Sequence, residues 1–105
     1  MRWRRMARKA AAKADAYEAV FTALAHPARR HILMTLNFEG GKMTAGEIAA
    51  LFRHAWPTTT RHLQVLEGAG LIAHERVGRE RIYRIEKKKL GLARDWLAWF
   101  FKPTG

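Results

Sequence analysis

Two short helices placed end to end constrain this chain more tightly than anything else in its sequence. Thr44-Ala45-Gly46-Glu47 has the form of a capping box, in which a threonine hydroxyl and a glutamate carboxylate satisfy each other's backbone N–H groups. Ile48, Leu51 and Phe52 then supply the inward stripe of a helix only about two turns long. After Arg53-His54-Ala55, Pro57 permits a second helix start, and Gly68 and Gly70 offer its stop. Two such helices, joined by a turn of about three or four residues, make a helix-turn-helix.

The second of these helices opens on WPTTTRH, although threonine is a mediocre helix former because its branched β-carbon restricts χ1. A helical wheel divides the labour. Thr59, Leu63 and Leu66 share the core face, whereas Pro57, Thr60, Arg61 and Gln64 share the opposite one. The outward row carries a hydroxyl, a guanidinium and a carboxamide, the groups that hydrogen-bond phosphates and base edges in a major groove. Thr58 sits at the N-terminal edge, where backbone phosphates would pass the positive end of the helix dipole. His62 falls between the two faces and is assigned a hydrogen bond to the core or to a phosphate. For an isolated helix an ordinary solvated face would explain the row equally well. The order of elements around it favours a nucleic-acid contact.

Upstream, DAYEAVFTALAHP reads as a helix over 15–25 capped by Asp15 with Glu18, and Pro27 then opens PARRHILMTL, with Ala28, Ile32 and Leu36 on one face. Downstream, LIAHERV and RIYRIE are strand-like and turn at Gly78, giving a basic hairpin that carries Arg79 and Arg81. The chain closes on a helix expected over 88–102, apolar around most of its circumference. The predicted fold is mainly α with a small β-hairpin: a winged helix-turn-helix of about five helices and a two-stranded wing, dimeric.

Twenty Lys and Arg against nine Asp and Glu give a net charge of +11 and point to a polyanionic partner, nucleic acid ahead of anionic membrane. Six of these cations precede Asp15, and removing six from twenty still leaves an excess. Residues 1–14 are expected to be a basic, flexible tail and 15–105 the folded domain; MARKAAAKAD, from Met6, would also serve as an N-terminus. No apolar run approaches the roughly 20 residues of a membrane span, and the start lacks the apolar core of a secretory signal, which predicts a cytoplasmic protein.

From Asp15 to Phe101 the chain resembles the ArsR-type family of bacterial winged-helix repressors. ALAHPARRHILMTL is similar to the family's second helix, PTTTRHLQVLEGAGLI to its recognition helix and following strand, and VGRERIYRI to its wing. The resemblance implies a homodimer that represses transcription by occupying an inverted-repeat operator on double-stranded DNA, with the first and last helices as the interface. Tyr17, Leu92, Trp96, Trp99 and Phe100 are the residues expected there, and Thr58, Thr60, Arg61, His62, Gln64, Arg79 and Arg81 those expected on DNA. Ala55 and Trp56 stand where the family often places a small polar N-cap.

Many relatives sense metals through the third or last helix. Here Ala49 and Leu51 occupy the thiolate positions, the last helix keeps Asp95 but has no histidine, and the chain has no cysteine, so no metal and no cofactor are expected. His26 and His31 share a helix face poorly; His26 is read as a helix start, and His54 and His74 as surface residues. Serine is absent and no nucleophile with a base, carboxylate pair or phosphate loop is present, so the chain is not read as an enzyme. A small RNA-binding or ribosome-associated protein, or an interaction module using the aromatic C-terminal helix, would also fit the charge and pattern.

Overall fold

The computed structural model describes residues 2–53 and 55–103, with the side chains of Arg2 and residues 9–13 outside the description, as is all of His54. Helix α1 runs Arg2–Leu24, starting well ahead of Asp15. The expected flexible tail over 1–14 is thus helical across its described residues, and Asp15 with Glu18 lies inside a helix instead of capping one. The cause is compositional. Alanine, arginine and lysine are strong helix formers, and no glycine or proline interrupts them before Pro27. Among the described side chains of α1, the buried ones lie in its C-terminal part: Val20 and Ala23 are buried, while residues 3–8 are exposed. A helix of this length spans about 34 Å. Its projection raises the radius of gyration to 16.4 Å, against about 13 Å for a globule of similar length.

Pro27 stands in the first turn of α2, Pro27–Phe38, and the His26 ring caps that helix by accepting the Ala28 N–H at 3.0 Å. Arg29 and Arg30 reach back over the end of α1. Arg29 donates to the carbonyls of Ala23 and Thr22 at 2.8 and 3.0 Å, and Arg30 to that of Leu24 at 2.7 Å. Cations are thereby fixed at the negative end of the α1 dipole, on carbonyls that have no partner within the helix.

After α2 the chain reverses through Gly40 and Gly41, with φ of 84° and 89°, and enters strand β1, Lys42–Thr44. Strands β2, Ile72–Val77, and β3, Glu80–Ile85, form the expected hairpin, and β1 joins it in the order β1-β3-β2, all antiparallel. The sheet therefore has three strands where two were expected. A three-residue strand with one buried side chain, Met43, carries too little alternation to be legible by itself. Gly78 takes positive φ at the first of the two loop residues between Val77 and Glu80, where a type II′ turn uses glycine.

Thr44 caps α3, Ala45–Ala49, through the reciprocal box: the Thr44 N–H donates to Glu47 Oε1 at 3.0 Å and the Glu47 N–H to Thr44 Oγ1 at 3.1 Å. Residues 50–55 lead to α4, Trp56–Gly68, a longer connection than the tight turn expected. Helix α5 covers Leu90–Ala98 and tightens into a 3₁₀ turn, Trp99–Phe101. The expected final helix, 88–102, is thus shorter and changes type at its end. The core joins Val20, Ile32, Leu36, Ile48, Leu66, Leu71 and Ile72, all essentially inaccessible, with Tyr83 and Ala93 beside them.

Candidate nucleic-acid interface

Helix α4 packs against α1, α2, α3 and β2, and Thr59, Leu63 and Leu66 are buried on that side. This fixes its rotation. Thr58, Arg61 and Gln64 are left exposed and Thr60 half-buried. Ala55 is the N-cap residue and supplies no side-chain acceptor, so the first turn of α4 lacks a side-chain cap.

His62, expected between the two faces with a hydrogen bond to the core or to a phosphate and grouped with the DNA residues, is corrected on that grouping: it is 7% exposed and lies inside. Its Nδ1 is 3.2 Å from Arg29 Nη1 and its ring lies 4.4 Å from that of His26. Because guanidinium only donates, Nδ1 is the acceptor in that contact. His62 therefore ties α4 to the junction of α1 and α2, a long-range partnership that periodicity along α4 does not reveal.

The wing approaches the start of α4. Trp56, Gly46, Arg79 and Arg81 line one cleft of about 270 Å³, with Glu80 also on its wall. Arg76 lies directly opposite Arg81 across the hairpin. Like charges so placed repel one another unless an anion lies against them. No carboxylate pairs with Arg61, Arg76, Arg79 or Arg81 among the described residues. Burial pushes the Tyr83 hydroxyl above its usual range, opposed by the Arg81 guanidinium. Trp56, noted from the sequence only at the N-cap stretch, and Arg76 were not among the residues expected on DNA. The cross-strand register needed to pair Arg76 with Arg81 was present in the hairpin pattern, whereas the approach of Trp56 to the wing depends on the tertiary fold.

At the other end of the molecule, Ala14, Tyr17, Glu18, Phe21 and Trp96 line an open cleft of about 510 Å³. The Phe21 and Trp96 rings meet edge to face at 5.2 Å, and Phe100 meets Trp96 in the same manner at 4.9 Å. Leu92 is half-buried, and Trp99 stands apart with Lys102 Nζ 3.7 Å from its ring centre. Trp96, Trp99 and Phe100 remain 46%, 68% and 69% exposed. Among the described residues no group of three or more His, Cys, Asp or Glu is placed to hold a metal ion, and no helix there is long and apolar enough to cross a membrane.

A polar-faced helix seated on a capped one, with a basic hairpin beside its start, defines a winged helix-turn-helix of the DNA-binding kind. A family model described as a helix-turn-helix domain matches residues 24–75. The transcriptional repressor SdpR of Bacillus subtilis (strain 168) is 37% identical over 81 residues, 77% of this chain and 88% of that protein. The crystal structure of an ArsR family transcriptional regulator superposes with a TM-score of 0.76 at 33% identity, covering 86% of this chain and 95% of that one. A homodimeric winged helix-turn-helix DNA-binding domain from Mycobacterium bovis, described as a possible ArsR-family regulator, gives 0.68 at 31% identity, covering 87% and 83%. The chain belongs to the ArsR-type family of winged helix-turn-helix transcriptional regulators.

Proposed function

We propose that the protein is a homodimeric repressor that occupies an inverted-repeat operator. The observation that carries this reading is the division of α4: Thr59, Leu63 and Leu66 fix the helix from below, and Thr58, Thr60, Arg61 and Gln64 remain on its open side next to a wing bearing Arg76, Arg79 and Arg81. In this reading Thr60, Arg61 and Gln64 read base edges, Thr58 meets phosphate at the uncapped helix start, and the wing arginines hold phosphate or the adjacent minor groove. His62 acts from inside, by orienting α4.

Dimerisation is assigned to the faces of α1, α5 and the 3₁₀ turn after it that carry Tyr17, Leu92, Trp96, Trp99 and Phe100. Burying one large apolar side chain contributes roughly 1.5–3 kcal/mol, so a second copy covering these rings would gain a large fraction of a small domain's stability. A two-fold dimer places its recognition helices in successive major grooves, about 34–36 Å apart, and so selects a palindromic site. The reading invokes neither metal nor cofactor.

Selection of bound duplexes from random sequence, followed by footprinting on the winner, tests it. One inverted repeat should emerge, with sedimentation of the free protein giving a dimer at micromolar concentration. A variant with Thr60, Arg61 and Gln64 all changed to alanine should bind that repeat no better than unrelated DNA. Retained sequence preference in this variant would falsify the recognition-helix assignment.

A further inference from the structure

The cation-rimmed cavity on α2 has no part in the DNA contacts or the dimer faces. Its lining from α2, Arg30, Leu33, Met34 and Asn37, follows i, i+3, i+4, i+7 spacing; Leu33 is buried beside Ile32 and Leu36, whereas Arg30, Met34 and Asn37 are exposed. This row closes one side of an open-mouthed cavity of about 460 Å³, and Leu24, Ile85 and Leu90 supply apolar walls from α1, β3 and α5. That volume lies within the range of small-molecule sites, roughly 300–1,000 Å³, which are mostly apolar with a few placed polar groups. Met34 remains 57% exposed at this lining.

Two cations edge the cavity, Arg30 and Lys87, and neither has a carboxylate partner among the described residues. Glu86, the adjacent acid, is engaged by Arg84 at 2.9 Å. Arg30 is positioned by its bond from Nη1 to the Leu24 carbonyl, which uses one of its five N–H donors. An apolar body with a single anionic head matches both halves of this lining, whereas a bare inorganic anion would leave the apolar walls wet and a neutral hydrocarbon would leave the cations unused.

We propose that this cavity is a binding site for an amphipathic carboxylate, with its apolar chain against Leu33, Met34 and Ile85 and its carboxylate between Arg30 and Lys87, and that occupancy alters DNA affinity. The coupling follows from how the wall is attached. The Ile85 N–H donates to the Gly41 carbonyl at 2.9 Å and the Glu86 N–H to that of Leu71 at 2.8 Å. The cavity wall is thus joined to the turn after α2 and to the segment that leaves α4, while Leu90 begins α5. A ligand filling the space bridges the element carrying the wing and the helix assigned to the dimer face. The regulatory half of the proposal rests on the operator-binding reading; the binding half does not.

Calorimetric titration of the intact protein with decanoate, below its micelle concentration and without DNA, tests the binding half. One decanoate per chain is expected, with decyltrimethylammonium, which has the same chain and the opposite charge, giving no saturable binding. Met34→Glu places an anion at the mouth on an exposed position; it should abolish decanoate binding while thermal unfolding stays unchanged. Lys87→Gln should weaken binding on the order of tenfold through loss of one charge-assisted contact. Absence of saturable binding, equal binding of the cationic amphiphile, or full binding by Met34→Glu overturns the site. Operator titrations with and without decanoate then read the coupling: an affinity change in the wild type that Met34→Glu lacks supports it, and unchanged affinity with decanoate bound overturns it. A protein that binds no DNA sequence even without decanoate fails the functional reading instead, and the calorimetry still decides the site.

Discussion

Helices α4 and α5 each leave one side open, and what they leave open is opposite in kind. Beyond a well-packed face, α4 exposes hydroxyl, guanidinium and carboxamide groups, for which water is a good solvent and a polyanion a better partner. Beyond Ala93, α5 and its 3₁₀ turn expose Trp96, Leu97, Trp99, Phe100 and Phe101, for which water is a poor solvent. The monomer covers Ala93 and part of Leu90 and Leu92 but leaves these rings and Leu97 largely open. Exposure alone does not define a binding face; in the proposed reading its chemistry separates the partners, nucleic acid for α4 and a second copy of the chain for α5.

The sharpest way to break this contrast is to exchange the roles. Leu66 is fully buried on the packed side of α4, and Leu66→Ala is expected to cost about 2–5 kcal/mol of unfolding free energy by denaturant titration. Changing Trp96 and Trp99 to serine should instead leave the fold intact and shift sedimentation toward monomer. If the tryptophan variant unfolds while the leucine variant does not, the two helices have been assigned the wrong way round.

A smaller effect separates the open row of α4 from its packed row. Arg61→Ala should cost about 1–3 kcal/mol of operator affinity and relax preference at one base position, with the denaturation midpoint unmoved. Arg79→Ala should weaken all sequences alike and reduce the salt slope by about one phosphate. Equal losses on cognate and random DNA for Arg61→Ala would make it a phosphate contact and leave base reading to Thr60 and Gln64.

Smaller again is the difference among the threonines themselves. Thr59 is fully buried and its Oγ1 has no hydrogen-bond partner among the described residues. Valine has nearly the same shape without the hydroxyl, and a buried hydroxyl left unpaired costs about 1–3 kcal/mol. Thr59→Val is therefore expected to stabilise the protein by about 1 kcal/mol, with DNA affinity unchanged. A loss of stability would mean that the hydroxyl is satisfied in solution.

These contrasts also mark what the sequence made legible. The split of α4, the capping box at Thr44, the His26 cap and the hairpin all rest on neighbours within a few positions, and each follows from spacing. The features that were missed rest on distant partners. Strand β1 exists because β3 pairs with it, and His62 is interior because Arg29, thirty-three residues away, reaches it. Arg29 and Arg30 lie outside the apolar pattern of α2, which gives no sign that they bind the last carbonyls of α1. The start of α1 was missed for a different reason. Asp15 can cap a helix, but a residue able to cap does not stop a helix already propagating through alanine and arginine.

The smallest expected effect lies in α3, which positions α4 without touching DNA in the proposed reading. Hydrogen bonds from the Thr44 backbone N–H, and then from its side chain, hold the Glu47 carboxyl below the usual carboxylate range, with burial opposing only weakly. A depressed folded-state pKa means that the carboxylate stabilises the fold above the unfolded value, and that this contribution is lost as pH falls through the folded one. Glu47→Gln keeps an oxygen able to accept the Thr44 N–H and removes only the charge. The wild type should therefore be slightly more stable than Glu47→Gln at neutral pH, and their denaturation midpoints should converge as pH drops below the ordinary glutamate range. Glu47→Ala, which removes the acceptor as well, should stay less stable than the wild type across the whole range. Midpoints of wild type and Glu47→Gln that differ by the same amount at every pH would assign the box to geometry alone, with no part for charge at the start of α3.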